Sequence, residues 1–152
     1  MTASIRPAEP GDVPAIERLV EKAYAVYVPR IGMRPLPMED DYAARVALRQ
    51  AWVLDGDGVE AVLVLVPENG HLLIDNVAVR PGLQGGGRGR RLLRFAERRA
   101  RRLGYAEVRL YTNVLMHENR RLYARLGYEE MGGENIRGRD AVYMRKPLAD
   151  GD

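Results

Sequence analysis

The sequence of 152 residues contains no cysteine, and this absence removes several kinds of chemistry at once. Without cysteine there is no disulfide, no thiolate ligand for a metal ion and no sulfur nucleophile for a covalent intermediate. Histidine is nearly as scarce, because His71 and His117 are its two occurrences and they are far apart in the chain. We therefore expect no bound metal ion.

Long hydrophobic runs are also missing. No apolar segment approaches the roughly 20 residues that a membrane-spanning helix needs, and the N-terminal segment becomes charged too early for a secretory signal. Hydrophobic residues make up 46% of the chain and charged residues 30%, which is typical of a soluble globular protein. The sequence predicts one cytoplasmic domain over residues 1–152, with no membrane partner.

Lysine is scarce as well, so nearly all positive charge on a chain of net charge +3 is arginine. Eight arginines fall within residues 88–102. A basic helix face of this kind could bind nucleic acid through phosphates, and we keep that as an alternative function. We do not expect it, because the same segment must turn apolar residues inward and no aromatic side chains interleave the arginines to stack on bases.

Apolar periodicity and turn signals predict the element order β-α-α-β-β-β-α-β-α-β-β, a mixed α/β layer. A helix over residues 11–27 should begin at Asp12 as its cap. Residues 28–40 hold three prolines and a glycine, which predicts a loop before a second helix. Residues 51–79 predict three strands joined by the turns "DGDG" and "PENG", an antiparallel meander.

A third helix follows a glycine-rich loop, "GLQGGGRG", at residues 82–89. The loop fails the P-loop pattern because Arg88 and Gly89 follow Gly87, and it fails the dinucleotide pattern because Arg90 replaces the last glycine. It fits Gln-x-x-Gly-x-Gly. Glycines allow close backbone approach, and a helix beginning near Arg88 presents unpaired N–H groups and a positive dipole end. We therefore predict a phosphate site rather than a flexible linker.

Two segments of the sequence form a specific combination. They are "LLIDNVAVRPGLQGGGRGRRLLRFAERRARRLG" and "VRLYTNVLMHENRRLYARLGY", the second ending in the pattern Leu-Tyr-x-x-x-Gly-aromatic. Together they resemble the corresponding segments of the GNAT family of N-acetyltransferases. The match covers about residues 52–131, and residues 9–50 are more divergent. The resemblance implies the GNAT acyl-CoA N-acyltransferase fold, with a central mixed, mostly antiparallel sheet flanked by helices. It also implies a transferase using acetyl-CoA as cosubstrate, and it allows a homodimer.

The resemblance assigns binding residues for acetyl-CoA. The edge of a splayed strand, Val77, Ala78 and Val79, would pair with the pantetheine arm. The loop would cradle the pyrophosphate through backbone N–H groups, with arginine side chains at its rim, and Asn119 would contact the CoA arm. The loop residues concerned are Gln84, Gly85, Gly86, Gly87, Arg88, Gly89 and Arg90.

The resemblance also assigns catalytic residues. Tyr123 would protonate the leaving thiolate, a role that suits a phenol. Asp75 is our first choice as base, with His71, His117 or a water chain as the alternatives. Because cysteine is absent, we expect direct attack by the amine in a ternary complex. A module that binds acyl-CoA without catalysis remains an alternative.

The acceptor, a small-molecule or peptide amine, is not named by the sequence. We expect its pocket to come largely from residues 24–42, with Asn76 orienting substrate or water. Two arginines in this segment could hold a substrate carboxylate, or they could be solvated. The candidates in the segment are Tyr24, Tyr27, Arg30, Arg34 and Tyr42.

Overall fold

The protein is built around a seven-stranded sheet in the computed structural model, which describes residues 3–149. The strands are β1 (Ser4–Pro7), β2 (Ala51–Gly56), β3 (Gly58–Pro67), β4 (Leu72–Val79), β5 (Glu107–Asn113), β6 (Glu129–Ile136) and β7 (Arg139–Pro147). The helices are α1 (Val13–Tyr24), α2 (Val28–Ile31), α3 (Tyr42–Ala47), α4 (Arg88–Arg102) and α5 (His117–Arg125).

The spatial order of the strands is β1-β2-β3-β4-β5-β7-β6. Every neighbouring pair is antiparallel except β4 and β5, which run parallel. The predicted mixed, mostly antiparallel sheet flanked by helices is therefore confirmed, and so is the meander of β2, β3 and β4. Within residues 3–149 no helix is long and apolar enough to cross a membrane.

Helices cover both faces of the sheet. Successive side chains of a strand point to opposite faces, so β2 and β3 contribute side chains to two separate cores. For this reason both strands are apolar along most of their length. On one face α1 and α3 pack on Val53, Val62 and Val64. On the other face α4 and α5 pack on the alternate strand positions, represented by Leu63 and Ile74.

The prediction of a loop over residues 28–40 is wrong in part. It contains α2 and a 3-10 turn at Leu36–Glu39. Pro29 lies in the first turn of α2, where its missing N–H costs nothing. Gly32 ends the helix in the left-handed conformation, with φ at +83°. A helix of four residues is too short to show a helical apolar period, so composition suggested a loop.

Asp12 does not cap α1 as predicted. Its backbone is already helical, because a 3-10 turn at Pro10–Asp12 leads into the helix, whereas a capping residue usually has extended backbone. The Asp12 carboxylate instead accepts a hydrogen bond from the Glu9 N–H at 2.8 Å and pairs with Arg6 at 2.8 Å. Asp12 thus ties the entrance of α1 to β1.

One extra residue in β4 shapes the centre of the sheet. Val64 of β3 pairs with Asn76 and Leu65 pairs with Ile74, so Asp75 is the unmatched residue of a β-bulge. A bulge bends a strand and increases its twist. In the described residues β4 pairs with β5 at Leu72–Ile74 alone. The two strands therefore separate from Asp75 onward.

Candidate active site

A cleft opens where β4 and β5 separate. Its walls are residues 74–77 of β4 and 110–113 of β5, and Pro35, Leu36 and Pro37 lie over it. The remaining lining residues are Tyr24, Met116, Asn119, Tyr123, Arg139 and Ala141. The cleft holds about 550 Å³ of empty space, including its solvent-open mouth. It is a concave site with a few polar groups in an apolar wall, as ligand sites usually are.

The predicted pantetheine edge belongs to the free side of β4. Val77, Ala78 and Val79 pair with β3 on one side, and within the described chain their register does not continue onto β5. Val77 also lines the cleft. This stretch of backbone can therefore pair with an extended ligand as a missing neighbouring strand would.

The glycine loop connects the end of β4 to the start of α4. Gly85 and Gly87 have φ of +85° and +86°, the left-handed region in which glycine carries no penalty. A Cβ at either glycine would meet no atom within 4 Å. Backbone N–H groups around left-handed residues form a concave anion-binding nest, and here the surface above that nest is open.

The N-terminus of α4 adds to this nest. The N–H of Arg91 donates to the carbonyl of Gly87 at 2.9 Å. The N–H groups of Arg88, Gly89 and Arg90 come before this bond and have no partner inside the helix. Together with the positive dipole end they form a seat for a phosphate-type anion.

The side chain of Arg88 braces the loop. Its Nε donates to Glu60 Oε1 at 2.9 Å and its Nη1 donates to the carbonyl of Leu83 at 3.2 Å. Arg88 also holds the pKa of the Glu60 carboxyl below its usual value. The guanidinium predicted at the rim of the anion site is thus engaged with β3, whereas Arg90 is exposed. Gln84 donates to the carbonyl of Val79 at 3.4 Å.

Tyr123 presents its hydroxyl to the cleft. Its ring is buried in the core between the sheet and the helices α4 and α5. Burial raises the pKa of the phenol to about 12. Within residues 3–149 the hydroxyl has no hydrogen-bond partner, yet it is not a fully buried orphan atom. It is therefore a neutral donor available to a ligand. Asn119, one turn earlier on α5, also lines the cleft.

Asp75 is the carboxylate of the cleft wall. It accepts hydrogen bonds from Arg45 Nη2 at 3.0 Å and from the Tyr111 hydroxyl at 3.1 Å. Burial raises the pKa of the Asp75 carboxyl, and the positive charge of Arg45 opposes that shift without cancelling it. Arg45 also pairs with Asp40 at 2.9 Å. Asp75 is thus a positioned carboxylate with a higher proton affinity than an exposed aspartate.

Asn76 organises a buried hydrogen-bond chain. Its Oδ1 accepts from the Tyr24 hydroxyl at 2.6 Å, and its Nδ2 donates to the Tyr42 hydroxyl at 3.0 Å. Tyr42 in turn donates to the carbonyl of Pro37 at 2.6 Å. Burial raises the pKa of both tyrosines. Tyr24 and Asn76 line the cleft, and the chain fixes the overlying proline segment to β4.

The other acceptor candidates lie outside the cleft lining. Arg30 pairs with Glu118 at 2.8 Å and stacks over the ring of Tyr27 at 5.3 Å. Arg34 pairs with Glu21 and with Glu39, both at 2.9 Å. Each guanidinium thus has a carboxylate partner within the protein, and neither lines the cleft.

Neither histidine lines the cleft. His71 contacts Glu68 at 2.9 Å just before β4 begins, and His117 is exposed at the first position of α5. Among the residues described, no three of His, Cys, Asp or Glu cluster as a metal site would require.

Three residues of the site were missed by sequence reasoning. Arg45 and Tyr111 hold Asp75, and Arg139 lines the cleft from β7. Because the chain contains many arginines, the sequence does not indicate that Arg45 and Arg139 in particular belong to the site. Only the alternation along β5, which places Tyr111 and Asn113 on one face, could have indicated Tyr111.

Comparison with known proteins identifies a family for this chain. The sequence profile of the acetyltransferase (GNAT) domain matches residues 47–130, which run from the end of α3 to the start of β6 and include the loop and Tyr123. No curated protein sequence gave a significant match.

Several solved structures share the fold over nearly the whole chain. Ard1 from Thermoplasma volcanium is 16% identical, with a TM-score of 0.79 over 99% of this chain and 100% of its own. The ribosomal-protein-S18-alanine N-acetyltransferase from Escherichia coli is 21% identical, with a TM-score of 0.77 over 99% and 97%. The putative acetyltransferase yncA from Salmonella typhimurium, solved with its cofactor acetyl-CoA, is 20% identical, with a TM-score of 0.72 over 100% and 97%. Because the GNAT profile covers more than half of the chain and includes its glycine loop, this protein belongs to the GNAT acetyltransferase family.

Proposed function

We propose that this protein is an N-acetyltransferase that moves the acetyl group of acetyl-CoA to a primary amine by direct attack in a ternary complex. The observation that carries the proposal is the cleft between β4 and β5. Its free β4 edge leads into the glycine loop, and its walls carry Asp75 and Tyr123. The cleft thus offers a backbone edge, a proton acceptor and a proton donor, and the anion seat lies in the loop that follows that edge.

The residues fit acetyl-CoA by their chemistry. The pyrophosphate suits the N–H groups at the start of α4, where left-handed glycines leave the backbone uncovered. The amide-containing pantetheine arm suits the unpaired edge of Val77–Val79. Asn119 provides an amide on the opposite wall. The cosubstrate supplies an activated thioester, whose carbonyl carbon the amine attacks.

Asp75 would serve as the proton acceptor. An amine substrate is an ammonium ion at neutral pH, and it must lose a proton before its nitrogen forms the new C–N bond. The raised pKa of Asp75 makes it a better base than an exposed aspartate. Its ion pair with Arg45 keeps the carboxylate in place. A water molecule between Asp75 and the amine would serve the same route.

Tyr123 would serve as the proton donor. When the C–S bond breaks, the departing thiolate needs a proton, and the Tyr123 hydroxyl has no other acceptor within residues 3–149. Its pKa of about 12 keeps it protonated at neutral pH. The ammonium gives one proton to Asp75 before attack, and the nitrogen releases a second proton as the amide forms. The sulfur receives its proton from Tyr123, which regains one from the proton that the nitrogen releases, so that the proton on Asp75 passes to solvent. Positioning and backbone N–H groups would supply the rest of the rate enhancement.

The arginine-rich helix supports nucleic-acid binding poorly. Arg88 is paired with Glu60, and Arg99 stacks over the ring of Trp52 at 4.7 Å. Calorimetric titration of the protein with acetyl-CoA and with an RNA duplex, at physiological salt, separates the two functions. We expect saturable heat from acetyl-CoA and little from RNA. Tight RNA binding with no heat from acetyl-CoA would refute the proposal.

A further inference from the structure

Arg139 is a buried cation in the wall of the cleft. It is the first residue of β7, is 8% exposed and lines the cleft. Ala141, two residues further along, lines the cleft as well and pairs with Asn113 of β5. Because alternate residues of a strand share a face, Arg139 and Ala141 belong to the same wall.

Backbone carbonyls hold the guanidinium. Nε and Nη2 donate to the carbonyl of Arg34 at 3.1 and 2.7 Å, and Nη1 donates to the carbonyl of Arg137 at 2.7 Å. A guanidinium has five N–H donors. One N–H on each of Nη1 and Nη2 therefore remains uncommitted within residues 3–149. Two such donors are what a bidentate pair with a carboxylate requires.

The charge of Arg139 has no counter-ion in the described part of the chain. Arg30, Arg34 and Arg45 each lie within ion-pair distance of a carboxylate. Arg139 forms no such pair, although it is more buried than any of them. Burying a charge without a partner is costly, and in the described part of the chain Arg139 is held by backbone carbonyls rather than by a carboxylate.

The opposite wall of the cleft does not compensate this charge. Asp75 forms an ion pair with Arg45, which is shared with Asp40, and within residues 3–149 neither carboxylate lies within ion-pair distance of Arg139. A ligand entering the cleft thus meets the positive charge of Arg139 on one wall and the carboxylate of Asp75 on the other.

We propose that Arg139 binds an anionic group, a carboxylate, on the acceptor amine, so that the enzyme selects amines that carry an acid. This inference rests on the proposed N-acetyltransferase function and names its substrate class. The sequence suggested Arg30 or Arg34 as the partner of a substrate carboxylate. We assign that role to Arg139 instead, because it lines the cleft and has two uncommitted N–H donors.

The test compares acceptors that differ only in a carboxylate, namely L-amino acids and their primary amides. We expect the wild-type KM for an acid to be about 10- to 100-fold below that for its amide, the effect of hydrogen bonds to a charged group. Arg139→Gln should bring the ratio of the two KM values toward one. Arg139→Lys, which keeps the charge and loses the fork, should retain part of the preference.

Arg137→Gln is the matched control, because Arg137 is an exposed arginine in the same hairpin, and it should keep the full preference. A purely structural role for Arg139 would raise both KM values together, and that result would overturn the inference. Equal wild-type KM values for acids and amides would overturn it too, even if Arg139→Gln fails to fold, while leaving the acetyltransferase function intact. No acetylation of any amine would overturn both.

Discussion

Replacing Gly87 by glutamate should abolish acetyl-CoA binding and leave the protein folded. Gly87 has φ of +86° and precedes the first residue of α4. A side chain at this left-handed position costs about 1–2 kcal/mol of stability. No atom lies within 4 Å of the added Cβ, so no further packing cost is expected in the free protein.

The effect on binding is larger than the effect on folding. The new carboxylate would lie beside the N–H groups of Arg88, Gly89 and Arg90, where the pyrophosphate is proposed to bind. Two unit charges about 5 Å apart repel by about 3 kcal/mol at an effective dielectric constant of about 20. One such repulsion weakens binding by roughly 100-fold, and the pyrophosphate carries more than one charge.

Gly70→Glu is the matched control. Gly70 has φ of +90° in the turn between β3 and β4, and a Cβ there also meets nothing within 4 Å. The two variants should lose similar stability in urea denaturation, while only Gly87→Glu should lose the calorimetric signal for acetyl-CoA. Normal affinity in a folded Gly87→Glu protein would show that the loop is not the anion site.

Three further substitutions test the acid, the base and the core. Tyr123→Phe should lower kcat by about 10²- to 10⁴-fold with unchanged acetyl-CoA affinity, and unchanged kcat would remove the acid role. Asp75 must be deprotonated to act as base, and burial raises its pKa. As the pH is lowered, wild-type kcat/KM should therefore begin to fall at a higher pH than it would if the base were an exposed aspartate. Asp75→Asn should remove that limb and leave the titration of the amine itself, whereas a profile parallel to wild type would exclude Asp75 as base. Leu92→Ala, at a fully buried site, should cost about 2–5 kcal/mol of unfolding free energy in urea. Leu103→Ala, at the exposed position directly after the same helix, should cost less than about 0.5 kcal/mol, and equal losses would contradict the packing.

Much of the fold was predictable because local patterns determine it. The apolar runs of β2 to β4 and the turns between them predict the meander, and Gly85 and Gly87 predict the loop before α4. The apolar periodicity of α4 also predicts that one of its faces is buried, and Leu92, Leu93, Ala96 and Ala100 form that face.

The site was less predictable because long-range contacts determine it. Nothing near Asp75 in the sequence indicates that it is a bulge residue or that Arg45, 30 positions earlier, holds it. Arg139 owes its place to a carbonyl 105 positions away, and a single arginine among many gives no signal of burial. Composition likewise does not show that Arg30 and Arg34 form ion pairs with carboxylates of the protein.

Acetyl transfer itself tests the account most directly. The wild-type protein, incubated with acetyl-CoA and a panel of amines, is assayed for free CoA thiol and, by mass spectrometry, for the acetylated amine. We predict that thiol and acetylated amine appear in equal amounts for at least one amine, and that Tyr123→Phe slows both equally. Thiol release without acetylated amine, or no turnover by a protein that binds acetyl-CoA, would contradict the proposed function.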